Sequence, residues 1–120
     1  MSNQALADII AYLEKAAATV RRVEAEAEAV LRDEGQAAYV EKMREKARFL
    51  LGLADGARPL TDVLGDEEGE AIHARLRKFS ASAKASLGID SVFYMSALLY
   101  PEDHQAGEPN DLEVYIETLR

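Results

Sequence analysis

From Asn3 to Glu34 apolar residues return every three or four positions, and no glycine or proline interrupts them. Read as heptads, the segment sets Leu6, Leu13, Val20 and Ala27 at one seam position and Ile9, Ala16, Val23 and Val30 at the other, as in a coiled coil. Ile10, Ala17 and Leu31 widen that seam, while Glu14, Lys15, Arg21, Arg22, Glu28 and Arg32 fall on the opposite side. Such a helix must bury one face and wet the other. Spacings of four also set Arg22 near Glu26 and Glu28 near Arg32, each pair adding about 0.3 kcal/mol to an exposed face. The many alanines favour close approach of a second helix over a spacious cavity, so no cofactor is expected along the seam.

Gly35 limits this element. Continued past Val30, the heptads would set Glu34, Ala37, Glu41, Arg44 and Arg48 on the seam, which is a charged stripe and no core. A new stripe starts instead at Val40, Met43, Ala47, Leu50 and Ala54, with Tyr39 and Leu51 beside it. Gly35 therefore reads as a helix stop between two antiparallel helices, near 3–34 and 36–54. At a rise of 1.5 Å per residue the first helix spans roughly 45 Å and the second roughly 27 Å. The return helix then leaves Leu6, Ile9, Ile10 and Leu13 without cover. Unless the helices near 90–100 and 110–119 cover them, these four are expected to form an interface, to a second copy in a homodimer or to a helical partner.

Further on, Asp55, Gly56 and Pro59 are expected to end the second helix, leaving at most a short helical turn from Pro59 to Leu64. Asp66 reads as the cap of a third long helix near 66–87, with acids in its first turn and bases later. Ile72, Leu76, Phe79, Ala83 and Leu87 supply its inner stripe. Residues 90–100 are apolar nearly all round. A helix is expected there from Asp90 as cap and Pro101 as stop, and another near 110–119 from the capping-box pattern Asn110 to Glu113. The rival is a β-hairpin of 91–100 and 111–119, because Leu112, Val114 and Ile116 also alternate. The fold class is thus all-α, a helical bundle on a long N-terminal helix hairpin and one domain over 1–120, with α+β and a C-terminal β-hairpin as the alternative.

Charge narrows the function classes. A net charge of -8 and a pI near 4.7 work against binding a nucleic-acid backbone. With no cysteine there is no thiolate nucleophile and no sulfur-ligated zinc. No window approaches the ~20 apolar residues of a membrane span, and the opening Met-Ser-Asn-Gln lacks a secretory pattern, so a cytoplasmic location and no membrane partner are expected.

Candidate chemistry is sparse. Glu70 and His73 have the Glu-x-x-His spacing found in di-iron carboxylate bundles, but that motif occurs once. Glu102, Asp103 and His104 share a loop and could hold a divalent cation together with the first pair. Bases collect on the second and third helices, Lys42, Arg44, Lys46 and Arg48, then Arg75, Arg77, Lys78 and Lys84, where an anionic partner could dock. Ser80, Ser82 and Ser86 have no triad partner, and no phosphate-cradling glycine loop occurs. Phe93, Tyr94, Tyr100 and Tyr115 crowd the last third, as core or as a second contact surface. The reading that follows is a helix-mediated protein association module without an active site, with no small-molecule substrate. Its alternative is a metal- or anion-binding helical enzyme using Glu70, His73, Glu102, Asp103 and His104.

Overall fold

The computed structural model describes residues 3–120 and has six helices: α1 Asn3–Asp33, α2 Gln36–Leu51, α3 Leu53–Leu64, α4 Asp66–Gly88, α5 Val92–Ala97 and α6 Asp111–Leu119. The described residues contain no strand, so the β-hairpin alternative is replaced by two short helices. Local caps decide this. Ser91 Oγ accepts the Tyr94 N–H at 3.1 Å, and Asn110 and Glu113 form the full reciprocal capping box at 3.0 and 2.8 Å. These side chains satisfy helical N–H groups that a ladder would have claimed. The caps expected at Asp66 and Asp90 fall one residue away, on Gly65 and Ser91.

α1 sets the long dimension of the molecule, 51 Å against 29 and 24 Å for the other two. Its seam is the core: Ile9, Leu13, Ala16, Val20, Val23 and Ala27 are all buried. Gly35, at φ 97°, ends the helix in a conformation that a Cβ would strain. α2 then returns antiparallel along α1.

The second helix does not reach residue 54. It ends at Leu51, and a separate helix of twelve residues follows, running straight through Gly56 and Pro59. Three side-chain and backbone fits explain this departure. Ser80 of α4 donates to the Leu50 carbonyl at 2.9 Å and accepts the Ala54 N–H at 3.2 Å, so one hydroxyl serves both ends of the break at Gly52. Gly56 leaves room for Tyr12, whose hydroxyl donates to the Leu53 carbonyl at 3.1 Å and would lie 2.3 Å from a Cβ at position 56. Pro59 lies on the exposed side, where the carbonyl it leaves unpaired can meet water.

α3 carries the return along α1, and α6 packs on α1 as well. Consequently the four residues left bare by the length argument are covered inside the chain. Ile9 and Leu13 have no exposed surface, and Leu6 and Ile10 pack against the same core. The premise for an interface at Leu6, Ile9, Ile10 and Leu13 was a return helix ending near residue 54, and α3 removes it. Finally, α4 packs on α2 and α3 and carries α5 at its end.

Candidate functional site

Two places in the molecule hold polar or apolar groups in arrangements that simple packing does not require. The first is a cleft of about 400 Å³ between α1, α2 and the end of α5, lined by Arg21, Glu24, Tyr39, Met43, Lys46 and Tyr100 among others. Lys46 stands on the inner stripe of α2, three residues after Met43 and four before Leu50, and only 1% of it is exposed. Its ammonium donates to the Ser96 carbonyl at 3.1 Å, pairs with Glu24 at 3.0 Å and lies 5.1 Å from the centre of the Tyr100 ring. Glu24 in turn accepts the Tyr100 hydroxyl at 2.7 Å.

From Tyr100 the chain of contacts continues outward. Arg21 donates to the Tyr100 oxygen at 3.2 Å and forks onto Glu113 at 2.6 and 3.0 Å, and Glu113 belongs to the α6 capping box. Burial lowers the Lys46 pKa against the opposing pull of Glu24. Burial, and next the bond to Glu24, pushes the Tyr100 phenol up to about 12. The Arg21 guanidinium holds the Glu113 carboxyl below its ordinary value. The Lys46 ammonium, the Tyr100 hydroxyl and the Arg21 guanidinium have partners within the chain, whereas Glu24 Oε2 accepts no hydrogen bond and meets Lys46 as an ion pair; these contacts tie α1, α2, α5 and α6 together. Leu99, at φ 75°, is held in a left-handed conformation beside Tyr100 while its carbonyl accepts the Asp111 N–H at 2.8 Å.

The second place is the corner where α4 passes into α5. Ile89, Phe93 and Tyr94 stand there 66%, 73% and 56% exposed, and the two rings meet edge to face at 5.4 Å. The corner is braced: Asp90, at φ 50°, receives the Arg44 guanidinium at 3.0 and 3.2 Å through both oxygens. From Ile89 a groove runs back along α4. Its α4 wall consists of Arg75, Lys78, Phe79, Ser82, Ala85, Ser86 and Ile89, a single helical face by spacing, and Leu98 and Leu99 lie opposite. The groove comprises two adjoining hollows of about 460 and 180 Å³ that share Ser82, Leu98, Leu99 and Asp111.

The residues proposed for metal binding are not brought together. Glu70 faces Arg58 at 3.3 Å, whereas His104 sits in the α5–α6 loop with its ring 4.8 Å from Tyr100 and its Nε2 3.0 Å from the Glu108 carbonyl. Glu102 and Asp103 are exposed, and His73 is half-buried on α4. Among the described residues no three acidic or histidine side chains group as a metal site would require.

The structure also sorts the basic residues. On α2, Lys42 pairs with Glu26 and Glu45, Arg44 with Glu41 and Asp90, and Lys46 with Glu24, while exposed Arg48 forms no ion pair among the described residues. Those of α4, Arg75, Arg77, Lys78 and Lys84, form no ion pair among the described residues.

Sequence reasoning missed the Lys46 network, although a lysine on an apolar stripe was a readable sign. It did not single out Ile89, and it left Phe93 and Tyr94 open between core and a second contact surface, of which the structure shows them exposed. No family model, no curated protein and no solved structure matches this chain.

Proposed function

We propose that the chain is a helical protein-association module that docks through the α4–α5 corner and performs no chemistry. One observation carries the reading: Ile89, Phe93 and Tyr94 stand out of the surface together on a braced corner, while the apolar seam of α1 is filled from within. Leaving such side chains in water forgoes roughly 1.5–3 kcal/mol each, and a partner surface recovers that free energy. Bracing by Arg44 and Asp90 fixes their placement in advance, which lowers the ordering cost of docking.

A photocrosslinking residue placed at Phe93 in the producing cells should give one discrete adduct, and the same residue at exposed Glu67 none. Equal yields from both positions, or none from Phe93, would refute the reading. Because Phe93 and Tyr94 support no core, changing both to Ser should leave unfolding in urea within about 0.5 kcal/mol of the original chain. A larger loss would return the corner to the interior.

A further inference from the structure

We infer that the groove along α4 receives an acidic amphipathic helix of a partner protein, seated with a carboxylate on Arg75 and Lys78. The inference rests on the association reading and names the chemistry of the partner. Arg75 is held over two aromatic rings, 5.0 Å from the centre of Phe79 and 5.4 Å from that of Tyr115. That placement sets the guanidinium beside two rings while leaving its N–H donors without an ion-pair partner among the described residues, and such a fork suits a carboxylate through two parallel hydrogen bonds. Lys78 stands beside it at the same end of the groove and is exposed and unpaired as well.

Beyond this basic end the groove turns apolar. Ser82, Ala85 and Ser86 keep the α4 wall low, Leu98 and Leu99 lie opposite, and Ile89 and Tyr94 close the far end. From Arg75 to Ile89 α4 rises about 21 Å, so the seat matches about four turns of a partner helix. Asp111 on the opposite wall lines both hollows and is the one acid among their lining residues, so a docked carboxylate must sit on the α4 side, against Arg75 and Lys78. The net charge of -8 repels an acidic ligand over long range, so its carboxylate must be held by close contact with Arg75 and Lys78.

A second copy fits less well. Its own exposed large apolar residues outside the corner are Leu31, Leu51, Val63 and Val114, which lie on four different helices and form no free stripe. A lipid surface is flat and would leave a concave wall unfilled.

The test uses labelled helical peptides of about fifteen residues. They share one apolar stripe and carry a pair of Glu, Gln or Lys at one end, and binding to the full chain is read by fluorescence anisotropy. At low salt the Glu peptide should bind about tenfold tighter than the Lys peptide, from two charge contacts of the surface type, with the gap narrowing as salt is added. Lys78→Glu, a surface change that leaves the fold untouched, should shrink that preference, and Arg75→Glu with Lys78→Glu should reverse it. Changing Phe93 and Tyr94 to Ser should weaken all three peptides alike.

If the three peptides bind equally and the Phe93 and Tyr94 change weakens them, the association face stands and the acidic partner is overturned. If none binds, the groove is no helix seat, and the crosslink at Phe93 decides the association reading separately. Two further results would overturn the proposal by naming another occupant. One is pelleting with anionic vesicles that Lys78→Glu abolishes. The other is a dimer of the unaltered chain that the same change disperses.

Discussion

The N-terminal seam and the α4–α5 corner are both apolar in sequence, yet one is filled and the other is bare. Ile9 and Leu13 lie in a helix whose partners are supplied along its length by α2, α3 and α6. Phe93 and Tyr94 belong to a helix of six residues that can turn only one side inward, and Met95 occupies that side. The difference shows that an apolar stripe reports the need for cover, whereas the source of the cover is a tertiary matter. α3, which the sequence marks only as a short turn from Pro59 to Leu64, moves the candidate contact surface from the α1 seam to the α4–α5 corner.

The sharpest way to break this comparison is in the seam. Leu13→Ala should cost about 2–5 kcal/mol in urea unfolding, the range for a buried leucine whose cavity only partly collapses. A loss under 1 kcal/mol would mean that the seam is as open as the corner.

Smaller, but specific to the cover, is Ser80→Ala. It removes the hydroxyl that serves the Leu50 carbonyl and the Ala54 N–H, and should cost about 1–3 kcal/mol. Were the change silent, the α2–α3 break would need another explanation.

Smaller again is Gly56→Ala, which gains helix propensity of up to about 1 kcal/mol but pushes a methyl onto the Tyr12 hydroxyl. It should destabilise the original chain and do so much less in a Tyr12→Phe background. Equal effects in both backgrounds would show that Tyr12 does not touch this position.

The mildest prediction concerns alkali. A phenol whose folded pKa is raised above its usual 10 to about 12 contributes stability that is complete below pH 10 and is lost as pH climbs through about 12. Lys46, with a lowered folded pKa, works in the opposite sense, its burial penalty easing as pH rises towards its usual 10.5. Tyrosinate absorbance should therefore show a late phase near 12 that Tyr100→Phe removes. Retention of that phase would dissociate Tyr100 from the network.

What was legible in the sequence was local. The stripe of α1, the stop at Gly35 and the capping box at Asn110 each follow from neighbours within a few residues, and each is present in the fold. α3 was not legible, because Gly56 and Pro59 are helix breakers by their local chemistry. Only the Tyr12 ring, brought from α1, gives Gly56 a role inside a helix. The break at Gly52 likewise depends on Ser80, which arrives from α4. At the corner, the apolar run from Val92 to Leu99 allowed no inner face to be chosen, since every side of it was a candidate.

Lys46 has one more consequence. Alanine and valine knobs along α1 are so alike that α2 could slide past them by a turn, about 5.4 Å, with little loss of apolar contact. The ammonium forbids it. A slide one way would leave the charge against Val20 and beside the Arg21 guanidinium. A slide the other way could reach Glu28, but only by abandoning the Ser96 carbonyl and the Tyr100 ring. A buried charge that stabilises little can still act as a ruler, giving α1 and α2 the one alignment in which the ammonium meets Glu24, the Ser96 carbonyl and the Tyr100 ring together.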